Sequence, residues 1–313
     1  MESVASGPLA VGMAPFVFRY VSAHDGTRLR VAVFEPEKKS RRVCVLLSGQ
    51  TEFIEKYLEV VAELNTRGFV VATLDWRGQG GSTRALQNPL KSYVGDFAEY
   101  DDDLATLMEQ VVTPISAAAP LLFAHSLGGH VAIRAMRRNP GLFRGAVLTA
   151  PMLAISTRGW PRFLPPLAAG LYNACGRGEY FAWGMAGRDP LRTDFDAQLC
   201  TSDVGRYART QDVLNAHPDL RLGGATWGWI AAAYRSMKQL SRAGFAEPIR
   251  TPALIAGAGR DRIVLVEAVR QFAARLPHAR YIEIEDAEHE ILMERDSIRQ
   301  RFWQAFDAFV EAL

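Results

Sequence analysis

A chain of 313 residues with 49% hydrophobic and 22% charged side chains can bury a large core without disulfides or metals. Its 36 basic and 34 acidic side chains leave a formal net charge of +2, which excludes the basic footprint that binds nucleic acid or coats an anionic membrane. Cys44, Cys175 and Cys200 are odd in number and far apart, so neither a disulfide framework nor a zinc site is expected, and a reducing compartment fits.

Residues 1–15 lack a basic segment followed by a sustained apolar one, and no run approaches the roughly 18 apolar residues of a membrane span. A cytoplasmic protein with at most peripheral membrane contact is the expectation. Residues 16–22 and 29–34 are rich in β-branched and aromatic side chains and flank the turn signal His24-Asp25-Gly26, which predicts an antiparallel hairpin. Apolar runs at 43–47 and 69–74 bracket a helical stripe at 54, 57, 58, 61 and 64. The alternation continues with a helix through Phe97, Tyr100, Leu104, Leu107 and Val111, a strand from Leu121, a helix after Ser126 and a strand at 145–149. Strand-helix alternation of this kind predicts a parallel sheet. It pauses after Pro151 and resumes with a strand at 253–256, a helix at 266–276, a strand at 280–284 and a closing helix carrying Ile298, Phe302, Phe306 and Phe309.

Residues 152–246 have a composition of their own, with Trp160, Trp183, Trp227, Trp229 and many Gly and Ala residues, and are expected to form an inserted cap on a core of 1–151 and 247–313. Its aromatic side chains either wall a pocket or fill the cap's own core, and both readings stay open. Asp101-Asp102-Asp103 reads as the solvated face of the helix that starts near Asp96.

The stretch Leu121-Leu-Phe-Ala-His-Ser-Leu-Gly-Gly129 runs an apolar strand straight into a serine with small neighbours two positions away on either side, and then into a helix. That is the context of a nucleophile elbow, where small residues let strand and helix pass without clashing. Ser126 is the candidate nucleophile, with Ala124 in place of the usual first glycine. A serine hydroxyl needs a base, and the base needs a carboxylate to fix its tautomer. His289 lies in the loop after the last strand, and Asp261 follows the strand at 253–256, 28 positions earlier. Asp286, only three residues from His289, is the weaker candidate, as are His125 beside the serine and His130 in the following helix. Two backbone N–H groups must face the developing oxyanion; those of Leu127 and Gln50, the latter after Ser48-Gly49, are the candidates.

These pieces, with Gly49-Gln50-Thr51-Glu52-Phe53-Ile54-Glu55-Lys56-Tyr57, Asp75-Trp76-Arg77-Gly78-Gln79-Gly80-Gly81-Ser82 and Ala287-Glu288-His289-Glu290, resemble the α/β-hydrolase superfamily. Within it they are similar to the monoacylglycerol lipase and bacterial lysophospholipase group, which is serine aminopeptidase-like. The resemblance implies a mostly parallel eight-stranded sheet with helices on both faces and a mainly helical cap. It also implies attack of Ser126 on the ester carbonyl of a monoacyl lipid, with His289 as base and Asp261 as its orienting acid. Acyl transfer or peptide cleavage on the same three residues, or a binding protein that has lost catalysis, are the alternatives. No cofactor is expected, because Gly257-x-Gly259 lacks the third glycine of a dinucleotide site, and no metal, because Glu288-His289-Glu290 has no second histidine at ligand spacing.

Overall fold

The computed structural model describes Val4–Ala5, residues 17–157 and residues 159–313. Phe16, the first residue of the expected hairpin, and most of the segment 1–15 lie outside the described residues. In chain order the strands are β1 (Val4–Ala5), β2 (Val17–Ser22), β3 (Arg28–Phe34), β4 (Val43–Leu47), β5 (Val70–Leu74), β6 (Leu121–His125), β7 (Gly145–Thr149), β8 (Ala253–Ala258) and β9 (Ala279–Ile284). Among the described residues they form one sheet in the order β1-β2-β3-β5-β4-β6-β7-β8-β9. The eight strands from β2 to β9 give the expected mostly parallel sheet, and the two-residue β1 adds an antiparallel pairing at its edge.

The continuous apolar runs are strands buried on both faces. Along β4, Val43, Val45 and Leu47 enter one core layer and Cys44 and Leu46 the other. The first layer holds α2 (Ala98–Leu107), α4 (Ser126–Arg138) and α8 (Val266–Ala273), and the second holds α1 (Leu58–Thr66) and α9 (Asp296–Glu311). Phe302 and Phe306 of α9 pack on Phe123 of β6, with ring centroids 5.7 and 5.6 Å away. A short α3 (Thr113–Ile115) precedes β6.

Between β7 and β8 lie α5 (Leu164–Ala174), α6 (Val204–Ala216) and α7 (Trp227–Ser241), joined by short turns of tighter helix. The tryptophans there divide between two roles. Trp227 stacks on Tyr172 in a small cluster with Ala168, Ala169 and Ala182, while Trp229 belongs to the main core and donates its indole N–H to Tyr100. Trp160 and Trp183 remain exposed. Thus α7 is built into the same apolar layer as α2 and α4. Among the described residues no helix is long and apolar enough to cross a membrane.

The acidic triplet does not form a solvated face. Asp103 is fully buried and accepts hydrogen bonds from the Arg77 N–H at 3.0 Å and from its Nε at 2.8 Å, while Asp101 pairs with Arg134 and Arg138. A buried guanidinium must have a counter-charge, and the face of α2 turned to the loop after β5 supplies it. Burial pushes the Asp103 carboxyl up to about 6, against the pull of Arg77.

A second buried ion cluster fixes the start of that loop. Arg30 on β3 donates through Nε to Asp75 at 2.6 Å and through both terminal nitrogens to Glu55 at 2.7 Å, and Asp75 also accepts the N–H groups of Ile54 and Gly81. Arg30→Met removes the cation and leaves two carboxylates buried without compensation. The expected cost is about 3–5 kcal/mol of unfolding free energy. Urea denaturation measures it, and a loss below about 1 kcal/mol would contradict a stabilising role for the cluster.

Candidate active site

Four loops at the carboxyl ends of parallel strands meet at one rim of the sheet: those after β4, β6, β8 and β9. Ser126 stands at the junction of β6 and α4 with φ 47°, the left-handed region that a side-chain-bearing residue enters only when its surroundings hold it there. Those surroundings are tight. A methyl group on Gly128 would lie 2.6 Å from the Leu47 carbonyl oxygen and 2.7 Å from that of Ser48, so glycine lets α4 close on the loop after β4. The Gly128 N–H donates to that Ser48 carbonyl at 3.1 Å and the Trp76 indole donates to it at 2.9 Å.

Ser126, Asp261 and His289 come together. His289 Nδ1 lies 2.7 Å from Asp261 Oδ2, and its Nε2 lies 2.9 Å from Ser126 Oγ. An ionised carboxylate only accepts, so Nδ1 carries the proton and donates, which leaves Nε2 of the neutral ring to accept from the serine hydroxyl. Asp261 is itself held, because its Oδ1 accepts the N–H groups of Ile263 and Val264, both at 2.8 Å. Burial pulls the His289 pKa down, but the adjacent Asp261, with Glu290 and Glu52 farther off, outweighs it and the net shift is upward.

The competing residues are placed elsewhere. Asp286 pairs with Arg260 and Arg301 and is half-exposed. His130 is buried in α4 between Met152 and Ser236. His125 points Nδ1 at Thr149, 3.1 Å from both its carbonyl and its hydroxyl, yet its ring lies against His289 with centroids 4.8 Å apart. Burial lowers the His125 pKa to about 4, so at neutral pH an uncharged ring flanks His289.

The loop 48–54 is held from several sides. The Gln79 amide donates to the Gly49 carbonyl at 2.8 Å and to the Glu52 carbonyl at 3.1 Å, and its oxygen accepts the Thr51 N–H. The loop after β5 therefore acts as a template for the loop after β4. Among the described residues the Gln50 N–H has no hydrogen-bond acceptor, and Leu127 lies in the first turn of α4, where N–H groups have no carbonyl one turn back. Phe53 packs with Leu214 and Leu220, which seats the segment around α6 directly over this loop.

Glu52, Lys56 and Glu290, which stand in the motifs above with no role evident from the sequence, form a buried ionic group beside the loop after β4. The spacing of Glu52 and Lys56, four residues apart at a helix start, was the available signal. Gly257 and Gly259 are packing positions: an added methyl would lie 2.4 Å from the Tyr281 hydroxyl and 2.5 Å from the Glu285 carbonyl oxygen, respectively.

The family described as serine aminopeptidase, S33, matches residues 38–296. The chain belongs to this family. Among curated relatives of this hydrolase, lysophospholipase L2 of Escherichia coli K12 is 33% identical over 267 residues, which cover 82% of this chain and 77% of the relative. A Haemophilus influenzae protein named "Probable lysophospholipase L2" is 27% identical over 297 residues, 94% of this chain and 92% of the relative. The structure of a soluble variant of monoglyceride lipase from Saccharomyces cerevisiae, in complex with a substrate analog, superposes with a TM-score of 0.76 at 17% identity over 99% of this chain and 98% of that one. The fold is therefore the expected α/β-hydrolase fold, and the protein is a carboxylic-ester hydrolase.

Proposed function

We propose that this hydrolase cleaves monoacyl lipid esters, lysophospholipids or monoacylglycerols, with Ser126 as nucleophile, His289 as general base and acid, and Asp261 as the group that orients His289. The observation that carries the reading is the unbroken hydrogen-bond path from Ser126 Oγ through His289 to Asp261, with spacings of 2.9 and 2.7 Å. As Oγ bonds to the ester carbonyl carbon, its proton passes to Nε2, and the carbonyl π electrons move onto oxygen to form the tetrahedral oxyanion. The N–H groups of Gln50 and Leu127 face that oxygen. Collapse expels the alcohol, which takes the proton back from His289. Water, deprotonated by the same imidazole, then attacks the acyl-enzyme and frees Ser126 and a fatty acid.

The lipid substrate is supported by the names of the relatives and by the surface of residues 152–246, read here as the cap. Among the described residues, Trp160, Phe163, Leu167, Leu171, Tyr180 and Trp183 are exposed large hydrophobics within one stretch of that segment. Apolar surface of this extent suits transient contact with a lipid aggregate. The balanced charge and unpaired cysteines support a cytoplasmic setting.

Three outcomes are expected. Ser126→Ala lowers turnover by roughly four to six orders of magnitude, and retained ester turnover in a pure sample would defeat the assignment. In assays of monoacylglycerols, lysophosphatidylcholine and nitrophenyl esters of increasing length, kcat/KM rises with chain length; equal rates on short and long chains, or faster release from aminoacyl anilides, would contradict a lipid site. His289 must be neutral to accept the serine proton, and its pKa is raised, so kcat/KM falls as pH drops through an apparent pKa above the ordinary histidine value of 6.5. An acid limb centred well below that value would contradict the pairing with Asp261.

A further inference from the structure

Beside the loop after β4 lies a buried ionic group that has no task in the proposed mechanism. Lys56 Nζ donates to Glu52 Oε1 at 2.8 Å and to Glu290 Oε1 at 2.6 Å. The side chains of Lys56, Glu52 and Glu290 are 9%, 3% and 10% exposed. The other oxygen of Glu52 accepts the Tyr57 hydroxyl at 2.7 Å and the backbone N–H of Gly49. Glu290, next in sequence to His289, donates its N–H to the Cys200 carbonyl at 2.8 Å in the segment between β7 and β8.

The connectivity is what distinguishes this group from a filler of the core. Glu52 grips the residue immediately before Gln50, and Glu290 is the residue immediately after His289. Lys56, 234 positions from Glu290, joins the two. Apolar side chains of the same volume would fill the space at no desolvation cost, but they would not fix the distance between two loops to hydrogen-bond precision. Burial would raise the Glu52 carboxyl, but Lys56 foremost, with His125 and Tyr57, brings it down to about 2, so Glu52 is ionised throughout the neutral range.

We infer that Lys56 is a positioning residue: its ammonium, bridging Glu52 and Glu290, clamps the loop that carries the Gln50 N–H to the loop that carries His289. This rests on the reading of Ser126, His289 and Gln50 given above. The clamp sets how far the oxyanion lies from the base, a distance that matters to the transition state more than to substrate binding. Losing it is therefore a kcat effect.

The test measures kcat and KM on one long-chain monoacyl ester, with kcat expressed per site titrated by a fluorophosphonate so that unfolded protein does not count. Lys56→Met is expected to lower kcat by about tenfold to a hundredfold with KM within about threefold of the parent. Lys56→Arg, which can still bridge two carboxylates, recovers most of the loss. Glu290→Gln lowers kcat in the same direction, and the Lys56→Met, Glu290→Gln double variant is no slower than Lys56→Met alone, because both changes cut one link. Should Lys56→Met fail to fold, Glu290→Gln decides the matter by itself. Unchanged kcat per site in the folded variant, or additive losses in the double variant, overturns the clamp while Ser126→Ala stays inactive. Turnover by Ser126→Ala overturns the parent reading instead.

Discussion

The hydrogen bond between His289 Nδ1 and Asp261 fixes one tautomer of a buried imidazole and so aims its Nε2 at Ser126. The rest of the site is arranged around that constraint. Ser126 follows β6 and Asp261 follows β8, two strands apart in the sheet and so about 10 Å from each other. The histidine arrives from the next strand outward, β9, and has to reach back across β8 and β7. The turn at Glu285 and Asp286 and the short helical turn Ile291–Met293 carry the loop over that distance and return it to α9. A parallel sheet makes this possible, since it gathers the carboxyl ends of β4, β6, β8 and β9 on one rim.

The loops on that rim are pinned by buried charge. Arg30 with Asp75 and Glu55 fixes where the loop after β5 meets the start of the helix at Ile54. Arg77 with Asp103 anchors the same loop to α2, and Gln79 passes its position on to Gly49 and Glu52. Each group is costly to bury, and in return it secures a defined spacing between loops. Catalysis by fixed dipoles depends on such spacing, because donors aimed at the oxyanion need no reorganisation when charge appears.

Much of this was legible in the sequence, because much of it is local. Ser126 announces itself by an apolar strand before it, small residues around it and an amphipathic helix after it, all within about fifteen positions. Asp261 and His289 follow from strand ends, which apolar runs at 253–256 and 280–284 mark with errors of two residues or fewer. The charged clusters were not legible. Asp103 sits among two other aspartates, and only the packing of α2 against the loop after β5 decides which of the three is buried. Lys56 and Glu290 are far apart in the chain, and no periodicity links them. The segment 152–246 resisted reading for a different reason: its helices are separated by irregular stretches, and α7 carries an apolar face that belongs to the core layer of α2 and α4. The exposed Trp160 and Trp183 and the buried Trp227 and Trp229 are alike in the sequence and opposite in the fold.

In the proposed mechanism the acyl group is carried on Ser126 Oγ. Mass spectrometry of protein inactivated by a fluorophosphonate and digested with trypsin tests it most directly. One adduct per chain is expected, on the peptide containing Ser126, forming in step with loss of ester hydrolysis. Full inactivation with that peptide unmodified, or an adduct on another residue, would contradict it.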